Sequence, residues 1–282
     1  MRLKLGLDSY SFHRYFGETT KWETLPEEQW TLGDFLRLLD ELKVPLASLQ
    51  TKYLPELPVV RAELNRWLDQ GSRDVVLTWG HPFGFDGGRN LDAFTDVIRY
   101  LTLCAEIGAT QLRIVLGNSI HFSESIADRK RILIPQLQEL ACIAREKQIL
   151  LSIENHADFR VMELVALIEE VGEAGLGLCF DVGNALRVGD PPQPLLRQLD
   201  LSRVFMIQLK EVRRIVGHEA PTGWWPTVEY GTGDVGADEC LNILQERNYP
   251  FPVVIEISNV FTGLTELEIV KKAVQRYRPL FE

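Results

Sequence analysis

Residues 150–156 read Leu-Leu-Ser-Ile-Glu-Asn-His, a short apolar run that ends, with no turn residue between, in a carboxylate, an amide and an imidazole. The run reads as a buried strand, which places the three polar side chains at its C-terminal end. The same form recurs along the chain, in Leu-Cys-Phe-Asp ending at 181, Met-Ile-Gln ending at 208 and Val-Ile-Glu ending at 256. Working outward from these, candidate strands fall at 3–8, 46–50, 75–79, 111–116, 150–154, 177–181, 204–209 and 253–257. Between them lie segments of helical period: 32–42 after Thr31 as N-cap, 91–107, 126–147 and 161–171. Strand and helix in alternation predict a parallel α/β fold, and eight such units match a (β/α)8 TIM barrel of about 250 residues. No linker or low-complexity tract divides the chain, so 1–282 is expected to form one barrel domain. An open doubly wound sheet is the rival, but no G-x-G-x-x-G follows an early strand.

Composition excludes several partners. A formal charge of −10 and a pI near 5.1 argue against nucleic acid and anionic membrane surfaces, which need clustered Lys and Arg. No apolar run approaches the roughly 20 residues of a membrane span, and the first residues carry no signal-peptide core, so a soluble cytoplasmic protein is expected. Cys104, Cys142, Cys179 and Cys240 are far apart, with no C-x-x-C pair, and read as reduced core residues.

In a barrel, Glu154, Asp181, Gln208 and Glu256 would all stand at the mouth where βα loops build active sites. Taken singly, a carboxylate at a strand end is more often an N-cap or an ion-pair partner. Three converging there would repel one another and resist desolvation, so one divalent cation is the economical expectation. An oxygen-rich set suits Mn2+ or Mg2+. His156 is expected beside this set, and His81, Arg113 and Lys210 near strand ends are candidates for holding hydroxyl, carboxylate or phosphate groups of a substrate. The insertions at 10–31 and 212–232 would overhang the same face. Gly231-Thr-Gly-Asp-Val offers backbone N–H groups for an anion, but shaping entry to the next helix is the favoured reading. Aromatics at Phe83, Phe85, Trp224 and Trp225 would serve as sugar-stacking platforms or as lid packing.

Ser-Ile-Glu-Asn-His, Cys-Phe-Asp-Val-Gly-Asn, Gln-Leu-Lys-Glu, Gly-Thr-Gly-Asp-Val and Val-Ile-Glu together resemble the sugar phosphate isomerase/epimerase group with the xylose isomerase-like TIM barrel. That group also includes ketose 3-epimerases, inosose isomerases and dehydratases, 3-dehydroshikimate dehydratases and endonuclease IV. The resemblance implies a divalent metal held by Glu154, Asp181, position 208 and Glu256, with Glu154 and Glu256 also serving as acid and base. It further implies substrate contacts at Asn184 and Arg214, and association into homo-oligomers. Position 208 departs from the pattern, Gln standing where the group usually has His, and an amide oxygen is a weaker, neutral donor.

The chemistry expected is abstraction of a proton beside a carbonyl to give an enediolate, by an isomerase or epimerase of a small sugar or polyol-derived ketose. A dehydratase or lyase on an oxo-acid or keto-inositol begins with the same step, and Gln208 keeps alive a non-catalytic barrel subunit. The endonuclease branch is disfavoured by the charge and by a histidine count of five.

Overall fold

Strand order in the sheet follows chain order, β1 to β8, and the sheet closes where β1 pairs in parallel with β8. The strands are β1 (Lys4–Asp8), β2 (Leu46–Gln50), β3 (Asp74–Thr78), β4 (Gln111–Ile114), β5 (Leu150–Glu154), β6 (Leu176–Asp181), β7 (Val204–Leu209) and β8 (Pro252–Ile255). The computed structural model describes residues 2–20, 23–80, 84–117, 125–215, 225–260 and 262–281. All eight expected strands are present, with ends shifted by at most two residues. β8 stops at Ile255, so Glu256 is the first residue beyond it.

The helices α1 (Leu32–Leu42), α2 (Leu57–Leu68), α3 (Leu91–Ile107), α4 (Ile126–Glu146), α5 (Val161–Val171), α6 (Val182–Arg187), α7 (Pro192–Gln198), α8 (Ala237–Glu246) and α9 (Glu266–Tyr277) lie between and after the strands. Thr31 caps α1 as expected, within a reciprocal capping box with Asp34. Leucines and valines on their inner faces bury the main core against the outside of the sheet. None of the described helices is long and apolar enough to cross a membrane.

Side chains alternate across a strand with period two, so one residue in two points into the barrel. A second, separate apolar cluster of Leu46, Val76, Cys179, Met206 and Val254 follows that parity and plugs the interior. Gly6 makes room for it, since a Cβ there would stand 2.4 Å from the Leu46 side chain and 3.1 Å from that of Val254. Two residues on from this floor, the same parity places Asp8, Ser48, Thr78, Asp181, Gln208 and Glu256 in an upper layer, all at most 3% exposed. Arg113 and Glu154 complete it. The barrel therefore has an apolar plug and, above it at the C-terminal mouth, a ring of polar side chains.

Candidate active site at the barrel mouth

Glu154, Asp181, Gln208 and Glu256 meet in this ring and are buried. Lys210, one residue past β7, bridges two of them, its Nζ 2.6 Å from Asp181 Oδ2 and 2.8 Å from Glu256 Oε1. Gln208 donates its side-chain N–H to Glu256 Oε2, while its Oε1 accepts from the Cys179 thiol at 3.4 Å. Arg113 Nε stands 3.1 Å from Glu154 Oε2. Its guanidinium also donates to the Trp79 carbonyl at 3.1 Å and to Gln50, in the amide orientation that suits the neighbours of Gln50, at 2.9 Å. Asn184 Nδ2 donates to Glu154 Oε1 at 2.9 Å and to Asp181 Oδ2 at 3.0 Å, tying the fifth strand to the sixth.

Local sequence fixes these positions. Asp181 ends β6 and caps α6, accepting the backbone N–H of Asn184 at 2.8 Å, so the bland reading of a strand-end carboxylate as an N-cap holds for it alongside the ion pair. Asn155 clamps the Asp181 backbone from both sides, donating to its carbonyl at 2.9 Å and accepting from its N–H at 2.8 Å. The polar triplet that ends β5 thus supplies a site carboxylate and a brace for the next strand. His156 donates through Nδ1 to the Gly117 carbonyl at 3.1 Å, which directs Nε2 away from that contact.

Burial alone would raise the carboxyls of Asp8, Glu154 and Asp181. At Glu154 this is outweighed by Arg113, His156, Lys210 and Asn184, which together hold it below its ordinary value. Asp181 remains raised, to about 6, because burial and the charges of Glu154 and Glu256 overcome the pull of Lys210. Burial works against the Lys210 ammonium, but Asp181, Glu256 and Glu154 more than compensate and push its pKa well up. Asp8 is pushed up to about 7 by burial and by Glu256, although Ser48 donates to its Oδ2 at 2.5 Å. Burial lowers His156, against the pull of the Glu154 carboxylate.

This arrangement bears on the expected divalent ion. The three strand-end carboxylates face Arg113, Lys210 and the half-buried Arg187, whose Nη1 donates to Asn184 Oδ1 at 3.1 Å. Lys210 stands between two of the expected ligands, and the Gln208 oxygen, the one atom of that side chain able to ligate a cation, is turned toward Cys179. Among the described residues no group of three or more His, Cys, Asp or Glu is placed to hold a metal ion. As they stand, the four side chains do not fit a divalent cation, and no step below is routed through one.

The remaining candidates divide. Asn184, His156, Lys210 and Arg113 are brought to the ring or its edge. Arg214 is not: its exposed guanidinium lies 5.7 Å over the Trp225 ring and its backbone N–H bonds Asp234 at 2.8 Å. His81, Phe83 and Trp224 lie outside the described residues, while Phe85 is buried and stacks on Trp79. The Gly231–Val235 loop is structural, as favoured: the Glu211 carboxylate takes the N–H groups of Gly231 at 3.2 Å, Val235 at 3.0 Å and Ala237 at 3.2 Å, the place an anionic ligand would need.

Asp8 and Arg187 escaped the sequence reading. Asp8 ends β1 with the same parity as the other ring residues, a signal that was there to be read; Arg187 sits in the last turn of α6, where it resembles an ordinary C-terminal helix cation.

Asp158 is the ionisable residue most at odds with its surroundings. Burial pushes it up to about 7, against the weaker pull of nearby backbone N–H groups and of Arg129. Because its folded value lies above the ordinary 3.8, ionising it opposes folding. That cost is absent below pH 4, grows by up to about 1.4 kcal/mol per pH unit, and is complete above pH 7. Asp158→Asn is therefore expected to raise the melting temperature at pH 8 and to leave it unchanged near pH 4. A lower melting temperature at pH 8 would mean the carboxylate is held by a favourable partner.

The sequence profile of the xylose isomerase-like TIM barrel family matches residues 5–280, and the chain belongs to that family. Its backbone is similar to that of the IOLI protein with a binding zinc atom, at 16% identity and TM-score 0.75 over 99% of this chain and 98% of that one. It is similar to a D-tagatose 3-epimerase-like protein at 15% identity and TM-score 0.74, over 99% and 98% of the two chains. It also resembles the probable 3-DHS dehydratase AsbF from Bacillus anthracis, at 15% identity and TM-score 0.73 over 98% and 99%. No curated protein sequence matches the chain. At these identities the likeness establishes the barrel.

Proposed function

We propose that this chain is an isomerase or epimerase of a small sugar or polyol-derived ketose, working through an enediolate. The observation that carries the reading is one buried network holding Glu154 and Glu256, from separate strands, on either side of Lys210 and Asp181 at the mouth. One carboxylate removes the proton from the carbon beside the carbonyl and the other returns it, to the opposite face for an epimer or to the neighbouring carbon for an isomer. Lys210 and Arg113 present N–H donors where negative charge gathers on the substrate oxygens, and their fixed ion pairs mean they need little reorganisation to do so. The acidic surface keeps phosphate backbones away, so the substrate is a small molecule held by the pocket. A cytoplasmic, homo-oligomeric enzyme with 1–282 as one barrel domain completes the reading. Family membership and the epimerase-like structural neighbour support it.

A dehydratase reading has one observation in its favour. Asp8, in the ring and pushed up to about 7, is about half protonated at neutral pH and would serve to protonate a departing hydroxyl. Incubation with ketoses and keto-inositols in D2O, followed by NMR, tests both. Deuterium at the carbon beside the carbonyl with the hydroxyls intact is expected; loss of water from the substrate would select the lyase, and neither event with any substrate would reject both.

A further inference from the structure

We propose that the Lys210 ammonium does in this chain the work expected of a divalent ion, so that proton transfer at the barrel mouth proceeds without bound metal. This rests on the proton-transfer reading above and names the group that stabilises its intermediate.

Three features of the site are built around the lysine. Its Nζ lies within 2.8 Å of carboxylates at the ends of two strands, and the residue is 8% exposed. Its stem runs along Gly183, where a Cβ would come within 3.1 Å of Lys210 Cβ and 3.4 Å of Cδ; the glycine leaves the groove in which the stem lies. Gln208 completes the arrangement. Its amide N–H donates to Glu256, and its amide oxygen is thereby directed to the Cys179 thiol and away from the centre. A cation entering between Asp181 and Glu256 would have to displace an ammonium and turn Gln208 over, breaking both of its hydrogen bonds. Lys210, Arg113 and Arg187 already set three positive charges against the carboxyls of Asp8, Glu154, Asp181 and Glu256, so a divalent ion added beside Lys210 would leave this buried centre with excess positive charge.

The chemistry balances with these residues alone. A carboxylate takes the proton from the carbon between carbonyl and hydroxyl, the C–H electron pair becomes the carbon–carbon π bond, and the carbonyl π pair moves to oxygen. The resulting oxyanion accepts an N–H from Lys210. Delivery of the proton to the other face of the same carbon lets the oxyanion re-form the carbonyl; delivery to the neighbouring carbon requires that the hydroxyl proton first pass to the oxyanion, so that the second oxygen becomes the carbonyl and the first a hydroxyl. No electron is gained or lost overall.

The test pairs equilibrium dialysis against Mn2+ with deuterium uptake from D2O into D-fructose, D-tagatose and a keto-inositol. Wild type and Lys210→Arg are expected to retain no Mn2+, whereas the doubly substituted Lys210→Met, Gln208→His chain is expected to retain it in equimolar amount. Uptake by wild type is expected to be unchanged by EDTA and to fall about 100-fold or more in Lys210→Met. Equimolar Mn2+ in wild type, or uptake abolished by EDTA and restored by Mn2+, would overturn the assignment. Should no ketose take up deuterium under any condition, the proposed function fails, and dialysis alone still decides whether Lys210 holds the cation's place. If the Lys210→Met chains do not fold, the wild-type and Lys210→Arg dialysis and the EDTA arm decide it.

Discussion

Glu256→Gln is expected to cut deuterium uptake at the carbon beside the carbonyl by about 10²- to 10⁴-fold, the usual worth of a positioned acid or base. The substitution removes a proton acceptor but keeps shape, and the neighbours can absorb it. Oε1 still accepts from Lys210, and Gln208 can turn its amide so that its oxygen meets the new N–H, losing only a weak thiol contact. Folding should therefore change little, which separates lost chemistry from lost structure. Glu154→Gln should behave likewise in uptake, at the cost of its charge contact with Arg113. Uptake that survives both substitutions would remove these carboxylates from the reaction.

Arg113→Met carries the largest expected effect on stability. The guanidinium is 3% exposed and offsets the charge of a Glu154 that is itself 2% exposed. Removing one partner of such a pair leaves the other buried and uncompensated, a loss of about 3–5 kcal/mol. The sign of its pH dependence follows from Glu154, which Arg113 helps hold below its ordinary 4.5. The stabilisation is present above that value and fades as pH falls through the folded one, so the deficit of the variant should be full at pH 7 and shrink toward pH 4. Adding Glu154→Gln to Arg113→Met should recover much of the loss, because the orphaned charge is then gone. A single variant as stable as wild type at pH 7 would show that the pair contributes nothing to the fold.

The barrel was legible because each strand is a short apolar run ending in a polar residue, and because helical period filled the gaps. The period does not single out α2, α6, α7 or α9, the shorter two, α6 and α7, being too brief to show one. The convergence of Glu154, Asp181, Gln208 and Glu256 was legible for the same reason: their place at strand ends fixed parity and height together. What the strand ends could not show is how their charge is neutralised. Lys210 reads in sequence as one more basic residue near a loop, and only the depth of its stem along Gly183 shows it filling the space between two carboxylates. Arg214 differs, since its spacing after Gln208 says nothing of where the loop at 212–215 directs it, and its guanidinium lies over Trp225.

The most direct test of the centre is crystallographic. Crystals soaked in Mn2+ and measured at a wavelength where manganese scatters anomalously would show either occupant without recourse to activity. The expected result is side-chain density for Lys210 continuous to a position bridging Asp181 and Glu256, and no anomalous peak in the ring. An anomalous peak bound by Glu154, Asp181 and Glu256, with Lys210 swung aside and the Gln208 oxygen turned inward, would contradict it.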